Sequence, residues 1–108
     1  FKKNKYKSKN TIYHITTVQE WEIYQLTGEV APDSLFTEGF IHCSRAEQVP
    51  DTIERFFSEV DEIMILELDR DALGDSVKDE ESSDHGVFPH IYRAVEIDEI
   101  IASHKQSV

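Results

Sequence analysis

The sequence predicts a small single domain of the α+β class, and three observations carry that prediction. The chain has 108 residues, enough for one hydrophobic core and not for two. Apolar residues make up 39% of it, including six Phe and four Tyr, so the chain can fold alone. The segments follow in the order β-α-β-α-β-β-β, with two early helices and strands dominating later. That order argues for a mixed domain and against a doubly wound parallel sheet.

The elements follow in order. Thr11 to Thr16 (TIYHIT) is β-branched and aromatic, and reads as a strand. Thr17-Val-Gln-Glu20 then matches a capping box that opens a helix. Trp21, Tyr24 and Leu26 give that helix its apolar side, and Gly28 can end it. Residues 29–38, with Pro32, Asp33 and Ser34, read as a loop. Gly39 to Cys43 is a second strand, and Ser44-Arg-Ala-Glu47 a second capping box. Val49, Ile53, Phe56 and Phe57 fall at helical spacing, and Pro50, lacking an N–H, kinks or restarts that helix. Glu62 to Leu68 (EIMILEL) is a buried strand. Residues 69–74 are turn-like, Asp75 to Glu80 a weaker strand, and residues 79–87 an acidic loop. Pro89 to Val95 is a further strand, and IDEIIASHKQ a turn with a last strand or helix. The expected limits are a flexible basic tail at 1–10, the domain at 11–104, and a short tail at 105–108.

Charge narrows the function. The formal net charge is −11, yet Lys2, Lys3, Lys5, Lys7 and Lys9 stand together ahead of every acid. The folded body is therefore strongly acidic and repels phosphate backbones, which argues against general nucleic-acid binding. No apolar run approaches the ~20 residues needed to span a bilayer. The single cysteine, Cys43, excludes an intramolecular disulfide and a thiolate zinc cluster. The segment before the fold has no apolar signal-peptide core. A cytoplasmic location is the expectation.

Three short motifs point to a site. IYHIT, GFIHCS and FPHIY each place a histidine two residues before a hydroxyl: His14 with Thr16, His42 with Ser44, His90 with Tyr92. In a strand, residues i and i+2 share a face. Each extended segment then puts an imidazole and a hydroxyl on one side. Two of the three run straight into a capped helix, whose first turn offers free N–H groups to an anion or a sugar hydroxyl. The structural alternative is plain as well. Ser44 serves fully as an N-cap, and Thr16 suits a strand with no ligand. Three histidines from three strands also match an open zinc site, although no HxH or HxxxH spacing occurs. Cys43 alternates with His42 and Ser44, so it points the other way, into the core. His85 and His104 read as solvated.

Taken in sequence, IYHIT, a helix bearing EW, GFIHCS, EQV…RFF, a strand ending ELD, and FPHIY resemble domain-of-unknown-function family 952. The resemblance runs from about Ile12 to about Ile101. It implies a fold similar to the ADP-ribosyltransferase type, a split β-sheet clasping NAD in a cleft. On that resemblance His14 and Thr16 bind the cofactor. His42 and Ser44 line its nicotinamide side, and His90 stands at the third catalytic position. Tyr92 and Arg93 are further cofactor contacts, Arg93 either a phosphate partner or a surface charge. Two departures matter. The third strand supplies His90 where many such transferases carry a glutamate, with Glu67, Glu80 and Glu96 equally placed to replace it. Ile15 stands where a glycine is usual, which crowds the backbone approach of a ligand. Three functions follow: an enzyme of ADP-ribosyl- or 2′-phosphotransferase type using NAD or a related phosphorylated nucleotide; a non-catalytic small-molecule or protein-binding module on the same fold; or a metal-dependent hydrolase on His14, His42 and His90. For the first two no metal is expected.

Overall fold

Strand β1, Thr11–Thr17, opens the fold. The computed structural model describes residues 10–81 and 86–108, so the basic run at 1–9 and His85 lie outside the described residues. β1 passes directly into helix α1, Val18–Thr27, through the capping box that the sequence spells. Thr17 Oγ1 accepts from the Glu20 amide at 3.1 Å, and the Glu20 carboxylate accepts from the Thr17 amide at 3.2 Å. The helix ends at Gly28, whose φ of +91° is left-handed and whose N–H returns to the Tyr24 carbonyl at 2.8 Å. Tyr24 is the buried residue of α1, while Leu26, expected on its apolar side, is 87% exposed.

Residues 29–38 are more than a loop. They hold strand β2, Glu29–Val30, and a short helix α2, Asp33–Thr37, which begins after Pro32. Strand β3 is only Ile41–His42. Ser44 is not the cap of the next helix. Gln48 closes on the Arg45 amide at 2.9 Å, a 3-10 turn spans Ala46–Gln48, and helix α3, Val49–Phe56, follows with Pro50 in its first turn. Arg45 Nη1 and Gln48 Nε2 both donate to the Val87 carbonyl, which pulls the turn toward the strand there.

Strand β4, Glu62–Asp69, is the central strand of one sheet, flanked by β1 and by β8, Ile100–Ser107, both antiparallel. β8 thus runs beyond residue 104. Between them lie helix α4, Arg70–Leu73, capped by Asp69; strand β5, Val77–Glu81; strand β6, Val87–Ile91; and strand β7, Val95–Glu96. β6 pairs with both β3 and β5, and β7 pairs with β2. The described strand pairs are all antiparallel, in a single α+β domain.

β4 is apolar along its length because both of its faces are covered. Met64, Leu66 and Leu68 face Ile12 and Tyr24 in the larger core cluster, which also takes in Ile41, Val77, Ile91 and Val95. Ile63 and Ile65 face the other way and pack with Ile15 and with Ile53 of α3. The central sheet is therefore held between α1 and α3. His14 and Thr16 lie on the α1 face of β1, directly opposite Leu66 and Met64 of β4.

Candidate functional site

β1 and the residues that follow β3 are joined at one point and part beyond it. Tyr13 and Ser44 exchange both backbone hydrogen bonds, at 2.8 and 2.7 Å. One step on, the ladder gives way. His14 Nδ1 donates to the His42 carbonyl at 2.8 Å. In a continued antiparallel ladder that carbonyl would serve the Ile15 amide, which faces the same side as the Tyr13 amide. The imidazole acts as a wedge, and a cleft of about 370 Å³ opens between the two sheets.

His14, Thr16, His42, Ser44 and His90 all line this cleft. The predicted convergence of three strand-borne imidazoles on one pocket is what the structure contains. The His42 and His90 rings lie directly across β3 and β6 from each other, with centroids 5.3 Å apart. Phe40 covers them, stacked on His90 at 4.0 Å and edge-on to His42 at 4.8 Å.

The electrostatics differ at each ring. His14 is buried, and desolvation holds its pKa below the ordinary value of 6.5 despite the carbonyl it binds. A carbonyl only accepts, so Nδ1 carries the proton of the neutral ring and Nε2 keeps its lone pair. His42 is exposed, with Nε2 3.3 Å from the Glu38 carboxylate. His90 is buried, and its Nδ1 lies 2.7 Å from Glu80 Oε1, which also accepts from the Tyr92 hydroxyl. Those two bonds, Tyr92 first, hold the Glu80 carboxyl below its usual range.

The hydroxyls are already engaged. Thr16 Oγ1 donates to Glu20 at 2.7 Å, and Ser44 Oγ shares a hydrogen with Thr52 Oγ1 at 3.0 Å. Burial raises the Glu20 pKa, and the hydrogen bonds from Thr16 and Thr17 outweigh it, so the carboxyl titrates below the ordinary value. This carboxylate sits on the first turn of α1, so the anion site expected at that helix terminus is filled by the protein's own side chain. Tyr24, beside Thr16, is pushed up to about 12 by burial and by Glu20.

Two predicted contacts lie elsewhere. Tyr92 is tied to Glu80 and does not line the cleft. Arg93 is held by a carboxylate of its own segment. Its guanidinium is bidentate to Glu99 at 2.8 and 2.9 Å, and it reaches no cleft residue. The three candidate acids also separate. Glu80 stands behind His90, Glu67 is bonded to His104, and Glu96 is exposed at β7. His104 is thus paired through Glu67 rather than simply solvated. Cys43 is buried in the core as its alternation predicts, and burial pushes its thiol well above the usual range. Among the described residues no three His, Cys, Asp or Glu side chains are placed to hold a metal ion. His14, His42 and His90 share a cleft without forming a metal centre.

Sequence reasoning missed four contributors. Glu20 was legible only as a capping residue. Thr52 and Arg55 reach the cleft from α3, Arg55 held by Asp51 at 2.9 Å. Phe88 lies two residues before His90, on the same face of β6, and the i, i+2 rule could have found it.

The comparisons bear on the whole of this architecture. The family model described as "Protein of unknown function (DUF952)" matches residues 15–103. The X-ray structure of protein CC0527 from Caulobacter crescentus is similar to this chain, with a TM-score of 0.81 and 28% identity over 88% of this chain and 84% of that one. The solution NMR structure of CC0527 is also similar, with a TM-score of 0.77 and 28% identity over 88% and 83%. No curated protein matches. With most of its length matched by the family model, from within the first strand into the last, the chain belongs to the DUF952 family.

Proposed function

We propose that the cleft binds NAD or a related phosphorylated nucleotide, and that the chain is a transferase of ADP-ribosyltransferase-like type. The observation that carries this reading is the meeting of His14, His42 and His90, from three different strands, on one cleft of small-molecule size. Arg55 supports it by supplying a cation to an otherwise acidic molecule, placed where a ligand phosphate can reach it. Phe57, Phe88 and Pro32 supply apolar wall for a flat ring.

Within that reading the residues divide the work. His14 and Thr16 orient the ligand, His14 through its Nε2 lone pair. His42 and the Ser44–Thr52 pair lie along the reacting ribose. In transfer, the bond from the ribose C1′ to nicotinamide breaks and its electron pair leaves with nicotinamide. The acceptor oxygen bonds to C1′, and its proton passes to a base of the site or to water.

The second reading is a binding module that keeps the cleft without the chemistry. It is favoured by the position of the acids. Glu80 is tied to His90 and Tyr92, and Glu20 to two threonines, so neither is free to orient a ribose. One experiment separates the readings. NAD is expected to raise the melting temperature of the wild type and not of His14→Ala. Release of nicotinamide then selects the enzyme, and binding without release selects the module. No shift with NAD in the wild type would end NAD as the ligand in both readings.

A further inference from the structure

His90 presents an unsolved polar atom. The residue is 5% exposed, and its Nε2 is buried with no hydrogen-bond partner, alone in that condition among the described residues. Leaving a buried polar atom unpaired is costly, so such an atom calls for a reason. Here the reason is read from the other nitrogen. Glu80 Oε1 takes a hydrogen bond from the Tyr92 hydroxyl at 2.5 Å and lies 2.7 Å from His90 Nδ1. The carboxyl is held in its ionised form, so it only accepts. The proton of the neutral ring must then sit on Nδ1, and Nε2 is left with a lone pair. Phe40 stacks on the ring with centroids 4.0 Å apart.

We infer that Tyr92, Glu80 and His90 form a relay that presents the Nε2 lone pair of His90 to the cleft, as the acceptor for one O–H or N–H of a bound ligand. The ligand class is thereby narrowed to molecules that carry a donor beside a flat apolar body. When the donor is an attacking hydroxyl, the same atom is its base. The O–H bond breaks, the electron pair stays on oxygen, and the proton joins Nε2. The imidazolium so formed is balanced by Glu80. Glu80 is a positioning residue in this relay, and Tyr92 acts through Glu80. This assigns Tyr92 a task other than touching ligand, and it singles out Glu80 from the three candidate acids. The lone-pair assignment stands whether or not the ligand is a nucleotide. Only the identity of the attacking hydroxyl rests on the transferase reading.

The test uses the full chain with ¹⁵N-labelled histidine. NMR of His90 is expected to show a protonated Nδ1 and an unprotonated, pyridine-like Nε2. Glu80→Ala is expected to shift the tautomer toward protonated Nε2, and Glu80→Gln, whose amide oxygen still accepts, to retain the wild-type form. Phenol and anisole then serve as paired probes with and without a donor. Phenol is expected to bind about 3- to 10-fold more tightly than anisole and to move the Nε2 resonance, and His90→Phe to erase that preference. A protonated Nε2 in the wild type, a tautomer indifferent to Glu80→Ala, or equal or absent binding of the two probes would overturn the inference. Failure of NAD alone, with phenol preferred, removes NAD as the ligand and leaves the relay.

Discussion

At the scale of the residue, His14 makes the sharpest claim. It is neutral and buried in the fold, with its pKa held below 6.5 by desolvation, whereas the unfolded chain presents an ordinary imidazole. Below the unfolded pKa the unfolded state binds a proton that the native state refuses. Stability therefore falls as pH falls through about 6.5 and keeps falling until the native His14 itself protonates. The slope reaches up to about 1.4 kcal/mol per pH unit. Urea denaturation between pH 8 and pH 5.5 is expected to show this slope in the wild type and a flatter one in His14→Gln. Glu20 acts in a separate window. Its depressed pKa gives stability that is present above about 4.5 and lost as pH falls below it, so the two effects can be read apart. The three histidines were legible in the sequence because alternation along a strand is a strict geometric rule. The same rule sent Cys43 to the core. Arg93 was not legible. Its partner Glu99 is brought round by the 3-10 turn at Ile97–Glu99, and a turn read from the sequence does not say which side chain it returns to Arg93.

At the scale of the element, the β1–α1 unit is written almost completely in its own residues. TIYHIT gives the strand, Thr17 and Glu20 the cap, and Gly28 the stop. Two substitutions test it. Thr17→Ala removes the cap and is expected to cost about 1 kcal/mol in chemical denaturation. Gly28→Ala meets no steric contact, yet forces a side chain into φ +91°, and is expected to cost about 1 kcal/mol as well. The start of α3 was misread for a physical reason. Two overlapping boxes compete there, Ser44 to Glu47 and Arg45 to Gln48. The second wins because Arg45 and Gln48 also bind the Val87 carbonyl, a contact far away in sequence. That outcome frees Ser44 from capping and leaves its hydroxyl to Thr52 in the cleft. The pieces β2 and α2 escaped notice because segments of two and five residues are too short to show a period.

At the scale of the molecule, the structure depends on one strand buried on both faces and on one wedge between two sheets. Leu66 of β4 is fully buried, so Leu66→Ala is expected to cost about 2–5 kcal/mol in a urea titration followed by circular dichroism. The α+β class was legible from the order of elements. The parting of β1 from β3 was not, since it follows from a side chain, His14, taking a carbonyl that the backbone ladder would otherwise use. The cleft so opened is the account's central claim, and NMR of the histidine rings during a titration with NAD tests it most directly. The account predicts that the ring resonances of His14, His42 and His90 move together along one saturable curve, while that of His104 of β8, tied to Glu67 of β4, stays in place. Resonances that do not move, or that move on unrelated curves with His104 among them, would contradict it.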